Sequence, residues 1–177
     1  SGSGRLDDSF LANLVGDWQI SRRMRDTVVH NTLKAEWVLQ HTFVQLHMKD
    51  VAEPPQYEAL VLIGYDAGSQ RYVAHWCDNF GAQYSGVGYG KRVGDSIDFV
   101  FNYPDGPFHN RFSWDAAGHT WTFRMEAEGK DGKRAFFAED TVRKEDSPPA
   151  NRIQAGKPSD EESSVLAAMD RYVTAIS

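Results

Sequence analysis

The sequence predicts an all-β, antiparallel protein, a sandwich or a barrel, and three observations predict it. Short apolar runs recur from Trp18 to Glu145 at regular spacing, which gives about nine or ten strands. The breaks between them carry turn chemistry: Gly64-Tyr65-Asp66-Ala67-Gly68, Val93-Gly94-Asp95, Pro104-Asp105-Gly106-Pro107, Asp115-Ala116-Ala117-Gly118 and Gly129-Lys130-Asp131-Gly132. No strand-then-helix alternation runs through this stretch, so a doubly wound sheet is not expected.

The elements follow in order. Residues 1–4, Ser-Gly-Ser-Gly, read as a linker or cloning scar. Asp8 or Ser9 is placed to cap a short helix carrying Phe10, Leu11 and Leu14, which Gly16 ends. A barrel-sized domain then fills the span 5–145. Residues 146–159 contain Ser147-Pro148-Pro149 and Lys157-Pro158 and read as a linker. Residues 160–177 predict a C-terminal amphipathic helix, with Val165, Leu166, Met169, Val173 and Ile176 on one face. That face needs a partner: the barrel, a second copy in a homodimer, or a further domain.

Composition narrows the function classes. The 177 residues carry 19 basic and 25 acidic side chains, a net charge of −6, which is the wrong sign for a nucleic-acid surface. No apolar run reaches the ~18 residues that would suggest a membrane-spanning helix. No leader is visible, and a cytoplasmic location is the expectation. The single cysteine, Cys77, leaves neither a disulfide framework nor a cysteine-based zinc site. The aromatic share of 12%, with five tryptophans, points to bulky side chains around a core or a cavity.

Period-two alternation sorts the strand faces. In 96–103 the bulky set is Ile97, Phe99, Phe101 and Tyr103; in 110–114 it is Phe112 and Trp114, with Asn110 on the same side. In 120–126 the set is Trp121, Phe123 and Met125, and in 71–78 it is Tyr72, Trp76 and Asp78. With the bulky faces inward, the interior is aromatic but not dry. The last strand, 135–143, is equally apolar on both faces, so alternation does not orient it.

Several motifs have a plainer reading beside the functional one. Gly86-Val87-Gly88-Tyr89-Gly90-Lys91 looks like a phosphate loop, but a turn rather than a helix N-terminus follows it. The glycines fit better as space in a barrel wall, next to Tyr84 and Trp76. His41 and His47 lie roughly 20 Å apart at strand rise, and no histidine pair has metal-ligand spacing, so no metal site is expected. His75, His109 and Cys77 fall on the outward face. Asp78 is an inward carboxylate among aromatics, fit to anchor a ligand or to move a proton; the plainer reading pairs it with a tyrosine hydroxyl or a loop amide.

Gly16-Asp17-Trp18 opening the first strand and Thr141-Val142-Arg143 closing the last resemble the calycin superfamily of lipocalins and fatty-acid-binding proteins. More specifically, residues 10–144 resemble a bacterial lipocalin-like family of unknown function. That likeness rests on Gly64-Tyr65-Asp66, Arg71-Tyr72-Val73, Trp76-x-Asp78, Gly94-Asp95 and Asp131-Gly132 in this order. The resemblance implies an up-and-down β-barrel in which Trp18 and Arg143 pack together and close one end. It also implies that Arg143, Thr141 and Glu139 face inward, which makes Glu139 a second interior carboxylate. The haem-binding nitrobindin relatives share the opening Gly-x-Trp. Their two later glycines are missing here, and no histidine follows Trp121, so neither haem nor another cofactor is expected. The 160–177 segment is similar to the first helix of SnoaL-like domains.

The leading functional expectation is therefore a small, largely apolar ligand bound inside the barrel by Trp76, Asp78, Tyr84, Phe101, Tyr103, Asn110 and Trp114. The rival is a cofactor-free isomerase, cyclase or lyase using Asp78 or Glu139 as acid or base. A third reading is an interaction module that docks through the C-terminal helix.

Overall fold

The computed structural model describes residues 4–145; the expected linker 146–159 and C-terminal helix lie outside the described residues. Helix α1 (Ser9–Ala12) starts where the Asp8 side chain caps it, its Oδ1 accepting from Leu11 N–H at 2.9 Å. Eleven strands follow: β1 (Gly16–Arg23), β2 (Val28–Val38), β3 (Phe43–Asp50), β4 (Glu58–Asp66), β5 (Arg71–Asp78), β6 (Gly86–Gly90), β7 (Arg92–Val93), β8 (Ser96–Tyr103), β9 (Gly106–Asp115), β10 (Thr120–Glu128) and β11 (Arg134–Lys144). β6 and β7 are separated only by Lys91, so they count as one interrupted strand and the barrel has ten staves.

Each strand pairs antiparallel with its neighbours in sequence, and β1 pairs with β11. Gly88↔Phe101 and Tyr89↔Val100 pair β6 with β8 and complete the closure. The result is an up-and-down barrel, in which closure removes the unpaired edges of an open sheet. Among the described residues no helix is long and apolar enough to cross a membrane.

Inward residues alternate as the period-two reading predicts. Ile97, Phe99, Phe101, Phe112, Trp121, Phe123, Tyr72 and Ala74 are buried, joined by Leu33, Leu46, Met48, Val61 and Ile63 from the first half. Rings dominate the middle: Phe112 stacks on Phe123 with centroids 4.0 Å apart and meets Phe99 edge-on at 5.3 Å.

One end of the barrel is plugged by α1. Phe10, Leu11 and Leu14 enter the core, and Phe10 meets Trp121 edge-on at 5.3 Å. The Trp18 indole donates to the Leu14 carbonyl at 2.7 Å and the Trp121 indole to the Asn13 carbonyl at 3.1 Å. Two buried aromatics thus satisfy carbonyls that the end of a short helix leaves open. Trp114 belongs to this end as well, 5.1 Å from Trp121 and 6.5 Å from Trp18.

The last strand departs from the resemblance. Its inward residues are Ala138, Asp140 and Val142, whereas Arg143 is exposed. Register explains this: Trp18 lies opposite Lys144, and Arg143 lies opposite Gln19 on the outer face. Lys144 therefore covers the indole, its Nζ 4.2 Å from the Trp18 ring, and donates to the Val15 carbonyl at 3.1 Å. Glu139 is likewise outside the barrel, bonded to Arg124 at 2.8 Å and 3.8 Å from Arg23. A register shift between Met125 and Glu126 of β10 leaves Phe137 as the extra residue of β11, since Met125 faces Ala138 and Glu126 faces Phe136.

Candidate functional site

The end opposite α1 holds a cavity of about 60 Å³. Its walls come from strand ends and the connections beyond them. The β5 end gives Trp76 and Asp78, and the turn after it gives Phe80 and Tyr84. The β8 end supplies Phe101 and Tyr103, and the start of β9 supplies Phe108 and Asn110. Arg22, Tyr57, Met125 and Phe137 complete the lining. Phe137 reaches the cavity because the β11 bulge breaks the alternation at that residue.

Two glycines shape one wall. A Cβ on Gly88 would sit 2.6 Å from the Phe101 ring, and one on Gly86 would sit 2.7 Å from the Tyr103 hydroxyl. The bare β6 backbone lets these rings lie flat, stacked with an interplanar angle of 11°. Trp76 then meets Phe101 edge-on, centroids 6.2 Å apart.

Polar groups line the deep side. Arg22 and Asp140 are 2% and 0% exposed and make two hydrogen bonds, Nε to Oδ1 at 2.7 Å and Nη2 to Oδ2 at 2.9 Å. Burial by itself would lower the Arg22 pKa, but the Asp140 charge and hydrogen bonds overcome it and hold the guanidinium above its ordinary value. Tyr57 sits beside the pair, with Arg22 Cζ 5.3 Å from its ring centre. The Tyr57 hydroxyl donates to Asp78 Oδ2 and accepts from the Trp76 indole, both at a long 3.4 Å. Burial raises the Tyr57 hydroxyl well above its ordinary pKa, with Arg22 pulling the other way.

Asp78 makes no direct ion pair, although the Arg22 charge reaches it. Burial raises its carboxyl, against the Phe80 N–H that donates to Oδ1 at 3.1 Å and the Tyr57 hydroxyl. Tyr103 is raised by burial and then by the Asp78 charge. Asn110 is only 2% exposed, and its Oδ1 has no hydrogen-bond partner. A buried amide oxygen normally has one, so this acceptor is conspicuous.

The structure thus brings Trp76, Asp78, Tyr84, Phe101, Tyr103 and Asn110 to one cavity and sends Trp114 to the plugged end. Trp114 shares the inward face of its strand, but alternation says nothing about depth along the barrel axis. Glu139 drops out as an interior acid because it lies on the outer face with Arg124. Arg22 and Asp140 were missed. The signal was present: Trp18, Ile20 and Arg22 alternate in β1, as Ala138, Asp140 and Val142 do in β11.

His109 faces outward as expected but is buried under charged side chains, with Nδ1 3.0 Å from Asp98 and Nε2 2.8 Å from Glu128. Both ring nitrogens are occupied, so the residue reads as a structural element of the outer wall. His75 and Cys77 are exposed on that face, away from the cavity.

Comparison with known proteins adds a family. No curated protein matches the chain. A family model described as "Protein of unknown function (DUF1579)" matches residues 7–145, which is the plug helix and the whole barrel. The chain belongs to the DUF1579 family.

Proposed function

We propose that the protein binds a small, largely apolar molecule in the cavity opposite α1. The observation that carries this reading is the combination at one site of aromatic walls and a buried, unpartnered acceptor, Asn110 Oδ1. Apolar walls with a few placed polar groups are what small-molecule sites share. A barrel that needed only a packed core would fill this end as it fills the other.

Native mass spectrometry of the purified protein, followed by extraction, tests the reading. Retained organic mass that is lost in Trp76→Ala supports it. A clean mass, together with no perturbation of the Trp76 indole N–H by any small aromatic compound at millimolar concentration, overturns it.

A second reading rests on Asp78, whose carboxyl is raised by burial and lies 3.4 Å from the Tyr57 hydroxyl. That pair has the parts of a general acid or base. Turnover of a bound compound that falls with Asp78→Asn, with binding retained, would favour it over simple carriage.

A further inference from the structure

The polar groups of the cavity constrain the head group of its ligand, an inference that rests on the binding reading above. Arg22 is the only cation among the lining residues, and it is already committed. Its Nε and Nη2 are both taken by Asp140, and its approach to Tyr57 is set by the same geometry. Two of its N–H donors are bound to Asp140, and the Asp140 charge offsets its own, so its pull on a second anion is weakened rather than added to. Arg22, Asp140 and Asp78 together carry one net negative charge when both carboxylates are ionised, and Arg22 is shared between them, so an incoming anion adds to a site that is already negative.

One acceptor of the lining is unpartnered. Asn110 Oδ1 has no partner, and an amide oxygen can be satisfied only by a donor. Apart from Asp78 and the tyrosine hydroxyls, the remaining lining is ring faces and the Met125 side chain, and the volume of about 60 Å³ is several times the ~10–15 Å³ that holds one water. We infer that the site takes a ring-sized apolar molecule bearing a hydroxyl or N–H donor and no negative charge, with the donor placed on Asn110 Oδ1. Fatty acids and other carboxylates, the guess that barrels of this shape invite, should therefore bind more weakly than their uncharged counterparts.

The test is a matched set on one ring: benzyl alcohol, toluene and benzoate, titrated separately and followed by protein NMR at the Trp76 indole N–H. Benzyl alcohol is expected to bind more tightly than either of the others. In Asn110→Leu its advantage over toluene should shrink by about three- to tenfold, the value of one buried hydrogen bond. Replacing an unsatisfied buried amide by an apolar side chain of similar size should leave the fold intact. Asn110→Met provides the same readout if leucine disturbs Phe99 or Met125, the cross-strand neighbours. Benzoate binding as tightly as the alcohol, toluene matching it, or an alcohol preference that survives both variants overturns the inference and leaves the cavity reading standing. No perturbation by any of the three overturns both.

Discussion

Arg22 and Asp140 are direct cross-strand partners on the inner face of the barrel, joined by parallel hydrogen bonds of 2.7 and 2.9 Å where β1 meets β11. The pair sits at the seam that joins the first and last strands. Removing one partner leaves an uncompensated charge in the interior, so Asp140→Ala is expected to cost about 3–5 kcal/mol. Replacing both, as in Arg22→Met with Asp140→Leu, should recover most of that loss, because the desolvation penalty of two ions disappears with their attraction. Urea denaturation of the single and double variants checks this. A single variant within 1 kcal/mol of the parent, by the usual scale of surface changes, would show that the pair is open to water.

Asp78 makes stability depend on pH in a direction opposite to that of a salt-bridged carboxylate. Its pKa in the folded protein is raised from the ordinary 3.8, chiefly by burial. The folded state thus favours the protonated acid, and the associated stability is present at low pH and lost as pH rises through the raised value. Asp78→Asn removes the unfavourable charge and keeps an Oδ1 for the Phe80 N–H. The variant should be more stable than the parent at pH 7, with the difference narrowing as pH falls towards 4. Denaturant midpoints across that range decide it; a difference that widens on acidification would reverse the sign.

Gly88 is needed for the room it leaves. An added Cβ would lie 2.6 Å from the Phe101 ring, which is buried and cannot swing into solvent. Gly88→Ala should therefore cost about 1–3 kcal/mol through overpacking. Adding Phe101→Leu should return part of it, since the smaller side chain vacates the contested space. Additive losses in the double variant, measured by thermal melts, would mean that backbone conformation rather than the ring contact is what Gly88 protects.

Much of this architecture is legible in the sequence because turn residues and period-two burial both act locally. Gly129 to Gly132 close one hairpin, its Gly129 N–H donating to the Lys133 carbonyl at 2.9 Å, and Ile97, Phe99 and Phe101 alternate as written. The last strand is where local reading fails. Phe136 and Phe137 are both apolar, and only the register with β10 reveals that Phe137 is the bulged residue that turns into the cavity. Depth along the barrel axis is equally non-local, which is why Trp114 and Asn110 share a strand face yet serve opposite ends. Asn110 Oδ1 as a free acceptor depends on what surrounds it, and no spacing rule reports that.

The closure of the plugged end gives a test that separates two adjacent residues. Lys144 lies over Trp18 at 4.2 Å and donates to Val15, whereas Arg143 points to solvent. Lys144→Met should cost about 1–2 kcal/mol, from a cation over an indole and one hydrogen bond. Arg143→Ala should stay within about 0.5 kcal/mol of the parent. Equal losses in chemical denaturation would mean that both cations brace the seam.

Trp18 and Trp76 mark the two ends of one barrel and should respond differently to the same change. Trp18 is fully buried against Trp114 and α1, so Trp18→Ala leaves a large void and should cost about 3–5 kcal/mol. Trp76 is half-buried at the cavity, its indole N–H a long 3.4 Å from the Tyr57 hydroxyl and also turned towards Asp78. Its loss removes wall area that a ligand would cover, with less of the packing that stabilises the empty protein. Trp76→Ala should thus weaken ligand binding at a cost in stability clearly below that of Trp18→Ala. Equal destabilisation would mean that the cavity end is packed core, and the binding reading would fall with it.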